Sequence, residues 1–184
     1  MSTKTNKPVK DLAILVKHEN EVVRAAVATV GRDEDLDILV HDKDSDVREE
    51  VAKHKRDKDL DILVYDKDSR ICCIVANQGR DKDLDILIHH KDEEVRAAVA
   101  RHGRPQDLDI LVHDNDWFVR CQVAKQKRYK DLDILVHDKD SDVRMAVAEQ
   151  GRQQDLDILI HDKDTYVRRV AIAIFEKLKT ERTH

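Results

Sequence analysis

Residues 33 to 56 read Asp33-Glu34-Asp35-Leu36-Asp37-Ile38-Leu39-Val40-His41-Asp42-Lys43-Asp44-Ser45-Asp46-Val47-Arg48-Glu49-Glu50-Val51-Ala52-Lys53-His54-Lys55-Arg56. The hexad Asp-Leu-Asp-Ile-Leu-Val near the head of this stretch returns, with few changes, every 24 residues. Self-similarity at a fixed period marks a repeat architecture. In phase, the repeats are 9–32, 33–56, 57–80, 81–104, 105–128, 129–152 and 153–176, with no insertion between them. Leu12, Leu36, Leu60, Leu84, Leu108, Leu132 and Leu156 share the fourth position, and Val23, Val47, Ile71, Val95, Val119, Val143 and Val167 the fifteenth. These columns are the expected core.

Within one repeat, Leu36, Leu39 and Val40 fall on one helical face behind Asp35, which is placed as an N-cap. The first helix is so short that it reads equally as α or 3₁₀. His41-Asp42-Lys43-Asp44-Ser45 is rich in turn and cap formers, and Asp44 or Ser45 starts a second helix that buries Val47, Val51 and Ala52. Gly31, Gly79, Gly103 and Gly151 all stand at position 23, where a helix end calls for the left-handed region. Lys55 and Lys127 hold that position in two repeats and either adopt the same conformation, at about 1 kcal/mol, or end the helix differently. Alanine at position 20 (Ala28, Ala52, Ala76, Ala100, Ala124, Ala148) implies closely packed helices, and Ile172 breaks the column. The expected organisation is an N-terminal segment over 1–8, repeats over 9–176, and the end of a capping helix (166–179) with a tail over 177–184.

The pattern Asp-x-Asp-x-x-Val-Arg-x-x-Val-Ala, as in Asp42 to Ala52 and Asp138 to Ala148, resembles the leucine-rich repeat variant family and, more loosely, HEAT-like repeats. The resemblance covers residues 9–176. It implies an all-α, right-handed solenoid in which α and 3₁₀ helices alternate. A family member that carries an N-terminal iron–sulfur cluster is matched no further, because residues 1–71 contain no cysteine. No cofactor is expected.

Composition narrows the function. The chain has 184 residues and a formal charge of -5, so no cationic excess drives binding to polyanions. Apolar and charged residues each make up 40%, enough to form a core, while aromatics make up 3%. No apolar run is long enough for a membrane span or, in Met1 to Pro8, for a signal peptide. Three cysteines, two of them adjacent, fit neither a disulfide framework nor a four-ligand zinc site. A cytoplasmic protein with reduced thiols is expected.

Arginine holds position 16 in six repeats, including Arg48, Arg96, Arg120 and Arg144, four residues after Asp44, Asp92, Asp116 and Asp140. This column reads as a structural ladder bonded within or between repeats. A nucleic-acid backbone contact is the sharper alternative, and the flanking aspartate columns argue against it. His41, His89, His113, His137 and His161 share position 9, but residues of one column lie a whole layer apart, whereas the ligands of one metal converge to about 2 Å. A calcium loop starting at Asp42 would need glycine at Val47 and glutamate at Lys53. Glycine-rich phosphate loops, zinc-protease motifs and nucleophile elbows are absent from the sequence.

What remains is departure from the repeat at positions that face water. Trp117 and Phe118 replace polar pairs, Tyr129 opens the next repeat, and Tyr65, Arg70, Cys72 and Ile74 cluster in the third. The leading expectation is a non-enzymatic scaffold binding a protein or peptide, with Trp117, Phe118, Tyr129, Tyr65 and Arg70 as contacts. A nucleic-acid-binding solenoid and a metal enzyme using His-Asp dyads are the alternatives.

Overall fold

The computed structural model describes residues 14–181, all of whose regular structure is helical. Leu12 and the expected N-terminal segment lie outside these residues. Among them are thirteen helices, in two compact blocks divided between Leu87 and Ile88.

The N-terminal block contains α1 (Glu21–Val30), α2 (Asp33–Leu39), α3 (Ser45–Lys53), α4 (Asp57–Leu63), α5 (Ser69–Gln78) and α6 (Asp81–Leu87). The longer helices α1, α3 and α5 stack one on the next, α2 and α4 each pack between their flanking long helices, and α6 packs on α5. The C-terminal block repeats the scheme with α7 (Glu93–Arg101), α8 (Pro105–Leu111), α9 (Trp117–Ala124), α10 (Tyr129–Leu135), α11 (Ser141–Ala148), α12 (Gln153–Leu159) and α13 (Thr165–Glu181). Helix α13 runs for 17 residues and packs on α11 and α12.

The core is the pair of columns expected from the period. Leu36 and Leu39 are 1% exposed, and Val47 and Val51 are fully buried. Burying one such side chain contributes about 1.5–3 kcal/mol, and no repeat can bury its apolar face alone. The short helices are α rather than 3₁₀, with tighter turns at their ends: the Asp35 N–H donates to the Arg32 carbonyl and the Asp42 N–H to the Leu39 carbonyl, each over 3.0 Å.

Asp35 is not the cap of its helix. The helix starts at Asp33 behind Arg32, and Asp35 sits inside the first turn, buried, because its carboxylate receives the Arg32 guanidinium. The second helix is capped as its sequence demands, with the Asp44 carboxylate accepting from the Asp46 N–H at 3.0 Å. Lys55 and Lys127 take the strained alternative, both at φ 60°. At Gly31, with φ +76°, a Cβ would stand 2.3 Å from the exposed His54 ring, so conformation favours glycine and any other residue would have to displace that ring.

Candidate partner-binding site

Two charge ladders hold the repeats together, and they determine which side chains remain available. In the first, Arg48 donates through Nε (2.6 Å) and Nη2 (2.8 Å) to both carboxylate oxygens of Asp66, and through Nη1 to the Asp42 carbonyl. Its partner is therefore position 10 of the following repeat, not Asp44. The aspartates Asp44, Asp92, Asp116 and Asp140 instead cap helices. The same clasp joins Arg24 to Asp42, Arg96 to Asp114, Arg120 to Asp138 and Arg144 to Asp162. Burial opposes ionisation of Asp138, but the Arg120 guanidinium and the Asp140 N–H outweigh it and hold the carboxyl below its ordinary range.

The second ladder escaped the sequence reading. Arginine at position 24 grips the buried aspartate three residues on, as in Arg56 to Asp59 (2.7 Å), and reaches back to Asp33 and Asp37 of the preceding repeat, each at 2.9 Å. Arg80 does the same with Asp83, Asp57 and Asp61. Recurrence of arginine at position 24 in six of the seven repeats, with aspartate at position 3 in all seven and at position 5 in six, was the available signal. A column of half-exposed isoleucines, Ile38 and Ile62 in one block and Ile110 and Ile134 in the other, was also missed.

The aromatic departures separate into different places. Trp117 is 43% exposed and Phe118 half-buried, with ring centroids 5.9 Å apart and planes at 70°. With Cys121, Met145 and Ala146 they line a groove of about 280 Å³ between α9 and α11, edged by Asp142, Glu149 and Lys125. Tyr129 belongs to another hollow, of about 660 Å³, among Lys127, Arg128, Lys130 and Arg152. There it replaces a position-1 carboxylate such as Asp33, and the Arg152 guanidinium lies 5.5 Å from its ring centroid, a cation–π contact in place of an ion pair.

In the N-terminal block, Tyr65 is exposed, and Arg70 is tied to Asp68 (2.9 Å), Asp46 (3.3 Å) and Glu49 (3.5 Å). Cys72 does not share that surface: it is buried, with its thiol 3.3 Å from the Asp66 carbonyl. Burial pushes the Cys72 thiol up to about 11 and Cys121 to about 12, leaving both protonated at neutral pH. Among the described residues, no three His, Cys, Asp or Glu side chains gather where one metal could be held, and no helix is long and apolar enough to cross a membrane.

No family model and no curated protein matches the sequence. Among solved structures, the chain is similar to one described as a leucine-rich repeat variant with a novel repetitive protein structural motif. The identity is 31% and the TM-score 0.80, over 91% of this chain and 72% of that one. It is also aligned with two engineered proteins. The first gives 17% identity and a TM-score of 0.31, over 95% of this chain and 99% of the other. The second gives 16% and 0.32, over 94% and 96%. At those scores neither bears on the fold.

Proposed function

Since the chain belongs to the leucine-rich repeat variant family, we propose that it is a non-catalytic, cytoplasmic scaffold that binds a protein or peptide partner through the long-helix face around Trp117 and Phe118. The observation that carries this reading is the groove those residues line. An aromatic pair, at positions where neighbouring repeats place Glu93-Glu94 and Ser141-Asp142, borders an apolar floor of Cys121, Met145 and Ala146. Aromatic side chains next to a cleft are the usual anchors of an interface, and they lose little conformational freedom on docking.

Two further features favour a protein partner over a nucleic acid. The position-16 arginines that would meet phosphates spend their donors on carboxylates and carbonyls; Arg120, for instance, places Nε and Nη2 on Asp138 and Nη1 on the Asp114 and Asn115 carbonyls. The overall charge is also negative. Protonated, buried thiols and repeat contacts that consume the charged side chains favour a scaffold over a catalyst.

The test is affinity capture with wild type against a Trp117→Ala, Phe118→Ala double variant whose helicity and melting are unchanged. Prey recovered by wild type and lost with the variant is expected. Prey recovered equally by both removes these anchors. A parallel polarisation titration with duplex DNA at low and moderate salt checks the alternative. Phosphate contacts would weaken binding by about 0.9 log units per log unit of salt for each phosphate neutralised.

A further inference from the structure

The Trp117–Phe118 pair forms an open corner rather than a stack, with planes at 70°. Ring faces carry the negative part of the aromatic quadrupole, so such a corner attracts a cation. Carboxylates flank it along the column. Glu94 in the preceding repeat and Asp142 in the following one hold the position that Phe118 holds in its own, and both are exposed. Asp142 also lines the groove itself, with Glu149 farther along. Among the described residues, the side chains of Glu94, Asp142 and Glu149 pair with no cation. The N-terminal block fills the equivalent place from within. Arg70 stands at the same repeat position as Phe118, and its guanidinium meets Asp46, which occupies that position one repeat earlier.

We infer that the Trp117–Phe118 corner receives a basic side chain of the partner, arginine foremost, with its charge shared between the ring faces and Asp142 and its apolar neighbours lying along Met145 and Ala146. The partner segment is thus a basic, partly apolar peptide. Lys125, which stands at the far end of the groove at the repeat position matching Glu149, repels a second cation there and fixes the basic group at the Asp142 end. This inference rests on the reading that the partner docks on this face.

Trp117 is the single tryptophan of the chain, so its fluorescence reports on the corner alone. The probes are acetyl-Leu-Arg-Leu-amide, its citrulline counterpart, in which a neutral urea of the same shape replaces guanidinium, and acetyl-Leu-Glu-Leu-amide. The arginine peptide is expected to shift Trp117 emission and to bind roughly tenfold more tightly than the citrulline peptide. Asp142→Asn should remove most of that advantage and leave citrulline binding unchanged. Equal binding of the arginine and citrulline peptides, preference for the glutamate peptide, or no shift with any of them at several millimolar overturns the inference. In the capture experiment, prey lost with the Trp117→Ala, Phe118→Ala variant but indifferent to Asp142→Asn and Glu94→Gln removes this inference and leaves the scaffold reading standing. Prey indifferent to the double variant removes both.

Discussion

Arg70 in the third repeat and Phe118 in the fifth occupy the same position of the 24-residue unit, and their surroundings treat them differently. Arg70 is absorbed, with carboxylates of its own and the preceding repeat closing on its guanidinium. Tyr129 is absorbed too, beneath Arg152. Among the described residues, Phe118 and Trp117 meet no such partner, and the acids beside them, Glu94 and Asp142, stay unpaired. A residue that breaks a repeat pattern therefore marks a binding face only when the neighbouring groups are left unsatisfied. Exposure alone does not distinguish the cases: Tyr129 and Tyr65 are each 71% exposed, more than Trp117.

The comparison assumes that both blocks are held by the same ladder, and acid is the strongest way to break it. Asp42, Asp138 and Asp162 titrate below their ordinary range in the folded chain. Their contribution is present above the unfolded value near 4 and is lost as pH falls through the folded values, while arginine stays charged. Denaturation midpoints should fall steeply below about pH 4; a flat profile between pH 6 and 3 would contradict the ladder.

Single rungs come next. Arg48→Ala and Arg120→Ala each leave a buried carboxylate unpaired and should cost about 3–5 kcal/mol in a urea titration. Arg70→Ala, at an exposed pair, should barely register. If Arg70→Ala matched Arg48→Ala, the distinction between joint and surface would fail. Core truncation is expected to cost the same in either block: about 2–5 kcal/mol for Leu60→Ala and for Leu132→Ala. A variant of either that unfolds like wild type would remove that column from the core.

Smaller effects sharpen the picture. Lys55→Gly and Lys127→Gly relieve a left-handed backbone and should stabilise by about 1 kcal/mol; a loss of stability would place the lysine side chains in a role of their own. Smallest is the local electrostatics of Arg70, whose side chain, aided by its own N–H, holds the Asp68 carboxyl at about 2. Arg70→Gln should raise it toward the ordinary value near 4, as read by carboxyl NMR. No change would mean that the backbone N–H suffices.

The core was legible because apolar residues recur with both the helical period and the 24-residue one, so that Leu36, Leu39, Val47 and Val51 are placed twice over. The glycine column was legible for an equally local reason, since only a few residues enter the left-handed region cheaply. Pairing across repeats was harder to read. Arg48 lies four residues after Asp44 in sequence, a spacing that suggests a pair, yet the long side chain crosses to Asp66. One sequence signal does identify the true partner. Where position 16 loses its arginine to Cys72, position 10 of the following repeat loses its aspartate to His90, and wherever the arginine is kept the following aspartate is kept. The groove was legible only as far as its aromatic side. Met145 and Asp142 belong to the next repeat, and nothing local in the sequence says that they border Trp117.

Each rung joins position 16 of one repeat to position 10 of the next wherever the arginine and aspartate are kept, as in Arg48 to Asp66 and Arg120 to Asp138. Removing residues 105–128 would bring Arg96 opposite Asp138 and restore the clasp, whereas removing 23 or 25 residues would leave both side chains stranded. Genetic recombination between copies that keep this arginine and aspartate can therefore lengthen, shorten or reorder the array in steps of one repeat without redesigning a joint, so that new outward-facing residues are tried on a frame that already fits.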